Sequence, residues 1–138
     1  VVHLERAVAP KEVTESLRLS GRDELMHIER IISVKRRPLV WTQTWLCTPP
    51  EFQPEIAELE EVGTVSALIQ RDLGLTFTRR EQEIWASGAT REEGRALDIK
   101  TGAPVLIAVT SMFTRDGRPG GWRRAAHRAD DFKYVFGV

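Results

Sequence analysis

The segment APKEVTESLRLSGRDELM (residues 9–26) matches, without gaps, the later segment ATREEGRALDIKTGAPVL (residues 89–106). In both segments a charged first half ends on a leucine, Leu17 or Leu97, and a polar turn then leads into an apolar stretch. Two copies are too few for a solenoid. We therefore interpret the match as a duplicated unit with a pseudo-twofold axis.

Each unit predicts a short helix followed by a β-hairpin. Thr90 and Glu93 have the spacing of a capping box at the start of the second helix. Apolar stretches separated by KRRP and RDGRP then predict paired strands. These strands cover residues 25–34 and 39–46 in the first unit, and residues 104–113 and about 121–128 in the second.

The chain between and after the units predicts the remaining elements. Residues 47–63 are acidic and interrupted by proline, which favours a loop with a helical turn at most. A helix is expected from its N-cap Thr64 to Gly74, and strands are expected over residues 75–87 and in DDFKYVFGV (130–138). The sum is an α+β domain of about six mostly antiparallel strands with three helices packed against the sheet.

Composition limits the classes of function. The 138 residues fit a single domain, residues 1–138, and 20 basic residues balance 20 acidic ones, so the chain has no excess charge for binding DNA by itself. A single cysteine, Cys47, fits a reducing compartment. No segment approaches the roughly 18 apolar residues of a membrane span, so we expect a cytoplasmic protein with no membrane contact. The first residue is valine, which leads us to expect that a segment before it has been removed.

Motifs for metal, cofactor or covalent chemistry are not found. His3, His27 and His127 show no metal-ligand spacing with one another or with Cys47. The sequence has no nucleophile elbow and no glycine-rich nucleotide loop. We therefore expect no metal, no cofactor and no catalytic residue.

Arg30 is a permanent cation on an apolar strand face. Strand side chains alternate, so Arg30 points to the same side as Ile28 and Ile32. It can bind an anionic ligand there, or it can extend to the sheet edge or pair with an internal carboxylate.

The order of these elements resembles the UTRA domain, the effector-binding domain of HutC-type regulators in the GntR family of bacterial transcription factors. The similarity runs from about residue 9 to the end, and it is best in A......AL.I..G.PVL (89–106) and R.D.F.Y.F (128–136). It implies a chorismate lyase-like fold, a homodimer and a small-molecule pocket. It also implies a winged-helix DNA-binding domain, which we expect to have preceded this chain.

The resemblance also suggests where an effector binds. Family members that sense sugar phosphates carry R.R on the first hairpin strand, where Arg30 matches the first arginine and Ile32 departs from the second. The start of the central helix, SLY in many members, corresponds to Thr64 through Ser66. A helix N-terminus favours anions, so we predict a carboxylate or phosphate held between Arg30 and Thr64, with Ser66 beside them.

Other positions bear on the type of ligand. Two glutamates common in sugar-sensing members align with Thr42 and Gly121. In their place, Trp41, Gln43 and Trp122 favour a flat, carbon-rich carboxylate, unless the tryptophans are core or dimer contacts. Arg80 can reach the same pocket or lie at its rim.

Three functions fit these observations. The first is a sensor whose small anionic effector changes DNA binding by the preceding domain. The second is a chorismate lyase-like enzyme acting on an aromatic acid, although no acid–base pair is evident. The third is a dimerisation module without a working pocket.

Overall fold

A computed structural model describes residues 3–130 and 133–135. The elements, in chain order, are β1 (His3–Val8), α1 (Lys11–Ser16), β2 (Glu24–Val34), β3 (Arg37–Leu46), α2 (Ile56–Val62), α3 (Val65–Leu73), β4 (Arg79–Gly88), α4 (Arg91–Leu97), β5 (Pro104–Phe113) and β6 (Pro119–Arg128). The strands form one antiparallel sheet in the order β1-β2-β3-β6-β5-β4.

The predicted duplication is visible in this strand order. The first unit is β1-α1-β2-β3 and the second is β4-α4-β5-β6, and the two meet where β3 pairs with β6. Thr90 caps α4, because its hydroxyl accepts from the Glu93 amide at 3.1 Å and the Glu93 carboxylate accepts from the Thr90 amide at 2.9 Å. Leu17 directly follows α1 and Leu97 is the last residue of α4, and both are almost completely buried. The repeat therefore places corresponding leucines in the core.

Both hairpins contain a β-bulge at the corresponding place. In the first, Lys35 and Arg36 have φ angles of 50° and 66°, the left-handed conformation of a type I′ turn, and the register shifts between Ile32 and Ser33. The second hairpin shifts between Met112 and Phe113. A bulge of one residue reverses which face the following side chains occupy.

Helices cover both faces of the sheet. On one face, α2 and α3 pack through Leu59, Leu68 and Ile69 against Met26, Ile28 and Leu46. On the other face, α1 and α4 cover two further clusters, which include Trp45, Trp122, Val105 and Ile107. We call the first of these the α3 face and the second the α1 face.

Three sequence predictions differ from the structure. The N-terminal residues form β1, a strand that was not predicted, and the acidic segment contains α2, which makes four helices rather than three. The predicted C-terminal strand is not found in residues 133–135, while Phe132 and Phe136 lie outside the described residues. Within residues 3–130 and 133–135, no helix is long and apolar enough to cross a membrane.

Candidate functional site

A cavity of about 390 Å³ lies between the sheet and the beginning of α3. The sheet contributes residues from β2, β3, β5 and β6, and the opposite wall comes from residues 63–66 and Phe77. The lining residues are Arg30, Ile32, Thr42, Thr44, Leu46, Gly63, Thr64, Val65, Ser66, Phe77, Met112 and Arg123. Such a volume falls in the range of small-molecule sites.

Arg30 reaches across this cavity toward α3. Its backbone pairs with Thr42 on β3, and its Nη1 donates to the Gly63 carbonyl at 3.2 Å. The side chain is half-buried, and among the described residues it has no ion pair with a carboxylate. A guanidinium has five donor hydrogens, so donors beyond this one bond are available to a ligand.

The N-terminus of α3 forms the other side of the cavity. The Thr64 hydroxyl accepts from the Ala67 amide at 3.1 Å, so Thr64 is the N-cap that the sequence predicts. Gly74, with φ 65°, ends the helix as predicted. The first turn contains no acidic residue. Among the described residues, no hydrogen bond is found for the amides of Val65 and Ser66, and both residues line the cavity.

Arg123 is a second guanidinium in the cavity, and sequence analysis missed it. It pairs in register with Thr44 and Thr110 from the neighbouring strands. Burial, followed by the charges of Arg30 and Arg80, lowers the pKa of Arg123. One signal in the sequence was available: Gly121 and Ala125, two residues away on the same face of β6, are small and leave room for the long Arg123 side chain.

The described lining of the cavity carries positive charge. None of the residues that line it, within the part of the chain that the structure describes, is Asp or Glu. Thr42 and Gly121, which replace the glutamates of sugar-sensing members, both lie on the α3 face. A Cβ on Gly121 would lie 2.9 Å from Leu46 Cδ2 and 3.0 Å from the Trp45 carbonyl oxygen, so close packing leaves no space for a carboxylate there. The arrangement therefore favours an anionic guest.

Arg80 lies beside the cavity without lining it. It borders a smaller hollow of about 60 Å³, together with Ser66 and Phe77, which line both spaces. The Arg80 side chain is exposed and shares the α3 face with Arg123. The structure therefore places Arg80 at the rim.

The structure does not place Trp41, Gln43 or Trp122 with Arg30, which corrects the predicted grouping. All three occupy the α1 face: Trp41 and Gln43 are adjacent to Thr42, which pairs with Arg30, so they point the opposite way, and Trp122 pairs with Trp45 of the α1 face. Trp41 Nε1 donates to the Glu29 carboxylate at 2.8 Å, and Trp122 is buried in the cluster beneath α1. These aromatic side chains have the core roles that the sequence analysis left open.

A separate group of side chains on the α1 face could hold a metal ion. His3, Glu5 and His27 each offer one ligand atom, and these atoms lie within 4.8 Å of one another. Burial first, and then the charge of His3, lowers the pKa of His27. Sequence spacing did not indicate this cluster, because its members come from two strands.

Comparisons with known proteins show which proteins the chain is similar to. The sequence profile described as the UTRA domain matches residues 1–133. The transcriptional regulator Rv0792c of Mycobacterium tuberculosis is 31% identical over 80% of this chain and 41% of its own length. The Escherichia coli repressor MngR, named for mannosyl-D-glycerate transport and metabolism, is 27% identical over 88% of this chain and 50% of its own. This chain thus spans about half the length of these relatives, or less.

Among solved structures, the ligand-binding domain of a GntR-family transcriptional regulator from Bordetella bronchiseptica superposes with a TM-score of 0.84. The match covers 99% of this chain and 85% of that one at 24% identity. The likeness therefore supports the α+β fold described above.

Proposed function

The chain belongs to the UTRA domain family, and on this premise we propose that it binds a small anionic effector and thereby modulates a bacterial transcriptional regulator. The matched relatives are named as transcriptional regulators and repressors, which favours regulation over the lyase alternative. The observation that carries the proposal is the pair of guanidinium groups, Arg30 and Arg123, in a cavity whose described lining contains no carboxylate.

The electrostatics of the cavity select for negative charge. Two like charges in a partly buried space repel each other, and burial followed by the charges of Arg30 and Arg80 lowers the pKa of Arg123. An anion removes that repulsion and accepts charge-assisted hydrogen bonds from both groups. The α3 N-terminus adds the amides of Val65 and Ser66 and the positive end of a helix dipole. A neutral molecule of the same shape gains none of these terms.

The remaining walls indicate the rest of the ligand. Leu46, Val65, Phe77 and Met112 form apolar surface, and hydroxyls of Thr42, Thr44, Thr64 and Ser66 are distributed around it. A carbon-rich carboxylate would place its charge between the arginines and its apolar part against Phe77 and Met112. A phosphate ester with a compact organic group fits the same charges, so the shared class is a small organic anion.

Effector binding would reach the rest of the regulator through the segment between α2 and α3. In the ligand-free protein Arg30 holds the Gly63 carbonyl, which lies immediately before the N-cap of α3. A ligand that competes for the Arg30 donors changes this tie between sheet and helix. Its effect on a DNA-binding domain elsewhere in the longer protein is limited by its difference in affinity for the two conformations.

We also infer that two copies of the chain associate through β4. This edge strand is exposed along all ten of its residues, including Ile84 and Trp85, which are 45% and 43% exposed. An exposed edge with unpaired backbone groups and large apolar side chains is a template for pairing with another strand. Light scattering after size-exclusion chromatography should show a dimer for the wild type and a monomer for Trp85→Lys. A dimer of unchanged stability in that variant would remove β4 from the interface.

The central test compares anions with their neutral counterparts. Thermal unfolding is followed in a panel of small carboxylates and phosphate esters, each paired with its methyl ester, amide or alcohol. A ligand at about 100 times its dissociation constant stabilises the native state by about 2.7 kcal/mol. We expect saturable stabilisation by one class of anions and none by the neutral partners.

Two variants separate the site from general charge effects. Arg30→Ala should abolish the stabilisation and leave the fold intact by circular dichroism. Arg115→Ala, in the exposed β5–β6 turn, removes the same charge far from the cavity and should behave as the wild type. Equal loss in both variants, or equal binding by both, would contradict the proposed site.

A further inference from the structure

The edge of the sheet opposite β4 contains a cluster of metal-ligand type. Strand β1 pairs with β2 so that Glu5 lies opposite His27, and His3 lies two residues before Glu5 on the same face. The His3 and His27 rings are 5.6 Å apart between centroids, and His3 Nε2 lies 2.8 Å from Glu5 Oε1. Two imidazoles and one carboxylate therefore bring one ligand atom each to within 4.8 Å of one another.

His27 has the features of an oriented ligand. Its ring stacks on Trp45 with centroids 4.0 Å apart and planes 12° from parallel, which fixes the imidazole plane. Its Nε2 is buried and has no hydrogen-bond partner among the described residues. A buried polar atom without a partner costs free energy, and a metal ion would give this nitrogen a partner. Metal-binding histidines typically use the other ring nitrogen for an orienting hydrogen bond.

The other two ligands are accessible to an ion from solvent. The side chains of His3 and Glu5 are 41% and 53% exposed. Their contact with each other shows that both can turn toward the same point as His27 Nε2. An ion there would have three protein ligands and at least one open position.

We propose that His3, Glu5 and His27 bind a divalent transition-metal ion, with Zn²⁺ as the preferred ion. Zinc combines imidazole nitrogen and carboxylate oxygen ligands at about 2.0–2.2 Å, and sites with three protein ligands keep a position for water or another donor. Because β1 is the edge strand next to β2, the ion would link this edge strand to the rest of the sheet. The site is separate from the α3-face cavity, so it does not depend on the proposed effector.

The test uses the full chain with any affinity tag removed. Isothermal titration with Zn²⁺ alone should give one ion per chain, and Co²⁺ should give visible d–d absorption typical of a low-coordinate N/O site. His3→Ala and Glu5→Gln, both at exposed side chains, should each weaken Zn²⁺ binding at least tenfold. Glu24→Gln, an exposed carboxylate on the same strand pair, is the control and should bind as the wild type does.

Thermal unfolding supplies a second measurement. Saturating Zn²⁺ should raise the melting temperature of the wild type and of Glu24→Gln, but not that of His3→Ala or Glu5→Gln. Circular dichroism establishes that each variant is folded. Absence of Zn²⁺ binding by the wild type, or unchanged affinity in both ligand variants, would overturn the proposal.

Discussion

Replacing Arg123 with methionine should stabilise the ligand-free protein and at the same time remove anion binding. Methionine keeps an unbranched chain of similar reach and deletes the charge. In the native state that charge is partly buried, faces Arg30 and Arg80, and makes no ion pair with a described residue. Most substitutions destabilise a protein, so a gain here would be a specific signature of the cavity.

The size of the gain follows from charge repulsion. Two unit charges ~4 Å apart repel by about 4 kcal/mol at an effective dielectric constant of ~20, and by less at longer range. Arg30 is half-buried and Arg80 is exposed, so solvent screens part of this repulsion, and we expect a net gain of roughly 1–2 kcal/mol. For a chain of this length that gain raises the melting temperature by roughly 3–8 °C. Loss of the charge-assisted hydrogen bonds should weaken anion binding by roughly 30-fold or more.

The assay is thermal unfolding of the wild type, Arg123→Met and Arg115→Met at low and moderate salt. Added salt screens the repulsion, so the wild type should gain stability from salt and Arg123→Met should gain less. Arg115 is exposed in a turn, and its replacement should leave both stability and anion binding unchanged. A melting temperature of Arg123→Met below that of Arg115→Met would refute the reasoning, because it would mean that Arg123 is held by favourable contacts.

Two further predictions concern the core and the single cysteine. Leu97→Ala should lower the free energy of unfolding by about 2–5 kcal/mol, because Leu97 is 0% exposed. The control Val135→Ala, at a side chain 96% exposed, should change it by less than about 0.5 kcal/mol. Urea unfolding measures both values, and a loss below about 1 kcal/mol at Leu97 would contradict its core position. Burial raises the pKa of Cys47 from 9.0 to about 11, with Asp23 adding to it, so alkylation by iodoacetamide at pH 8 should be roughly 100-fold slower in the native than in the unfolded chain, and equal rates would be contrary to its burial. The same shift contributes stability below pH ~9 that is lost as the pH rises toward 11.

The sequence was most informative where the two units repeat. Leucines at corresponding positions, Leu17 and Leu97, predicted equivalent helices, and the capping residues Thr64 and Thr90 marked where α3 and α4 begin. These signals are local, because a cap and an apolar period depend on neighbours within a few residues. For that reason the helix starts that they predict are found in the structure.

The β-bulge decides which face of the sheet Trp41 occupies. Without it, continuing the register of Val34 with Arg37 would pair Arg30 with Trp41, and both side chains would point into the same cavity. The shift between Ile32 and Ser33 pairs Arg30 with Thr42 instead. A single extra residue is difficult to recognise from sequence, yet it changes the chemistry of the whole strand face.

The remaining misses have a common physical cause. Strand β1 is a six-residue edge strand, and its partner β2 follows it in the chain only after α1. Arg123 reaches the cavity because β6 lies next to β3 in the sheet. Both depend on contacts between residues far apart in the chain. The cluster of His3, Glu5 and His27 was hidden for the same reason, since only the pairing of β1 with β2 brings its members together.

Helices α2 and α3 place one wall of the cavity outside the duplicated sheet that carries Arg30 and Arg123. These helices come from the stretch that belongs to neither half of the duplication, and they supply one wall of the cavity, whereas the duplicated halves supply the sheet. Substitutions among residues 63–66 and at Phe77 can thus alter recognition while the clusters beneath α1 and α4 stay intact. Ligand specificity can therefore change at this wall while the fold of the duplicated sheet is kept.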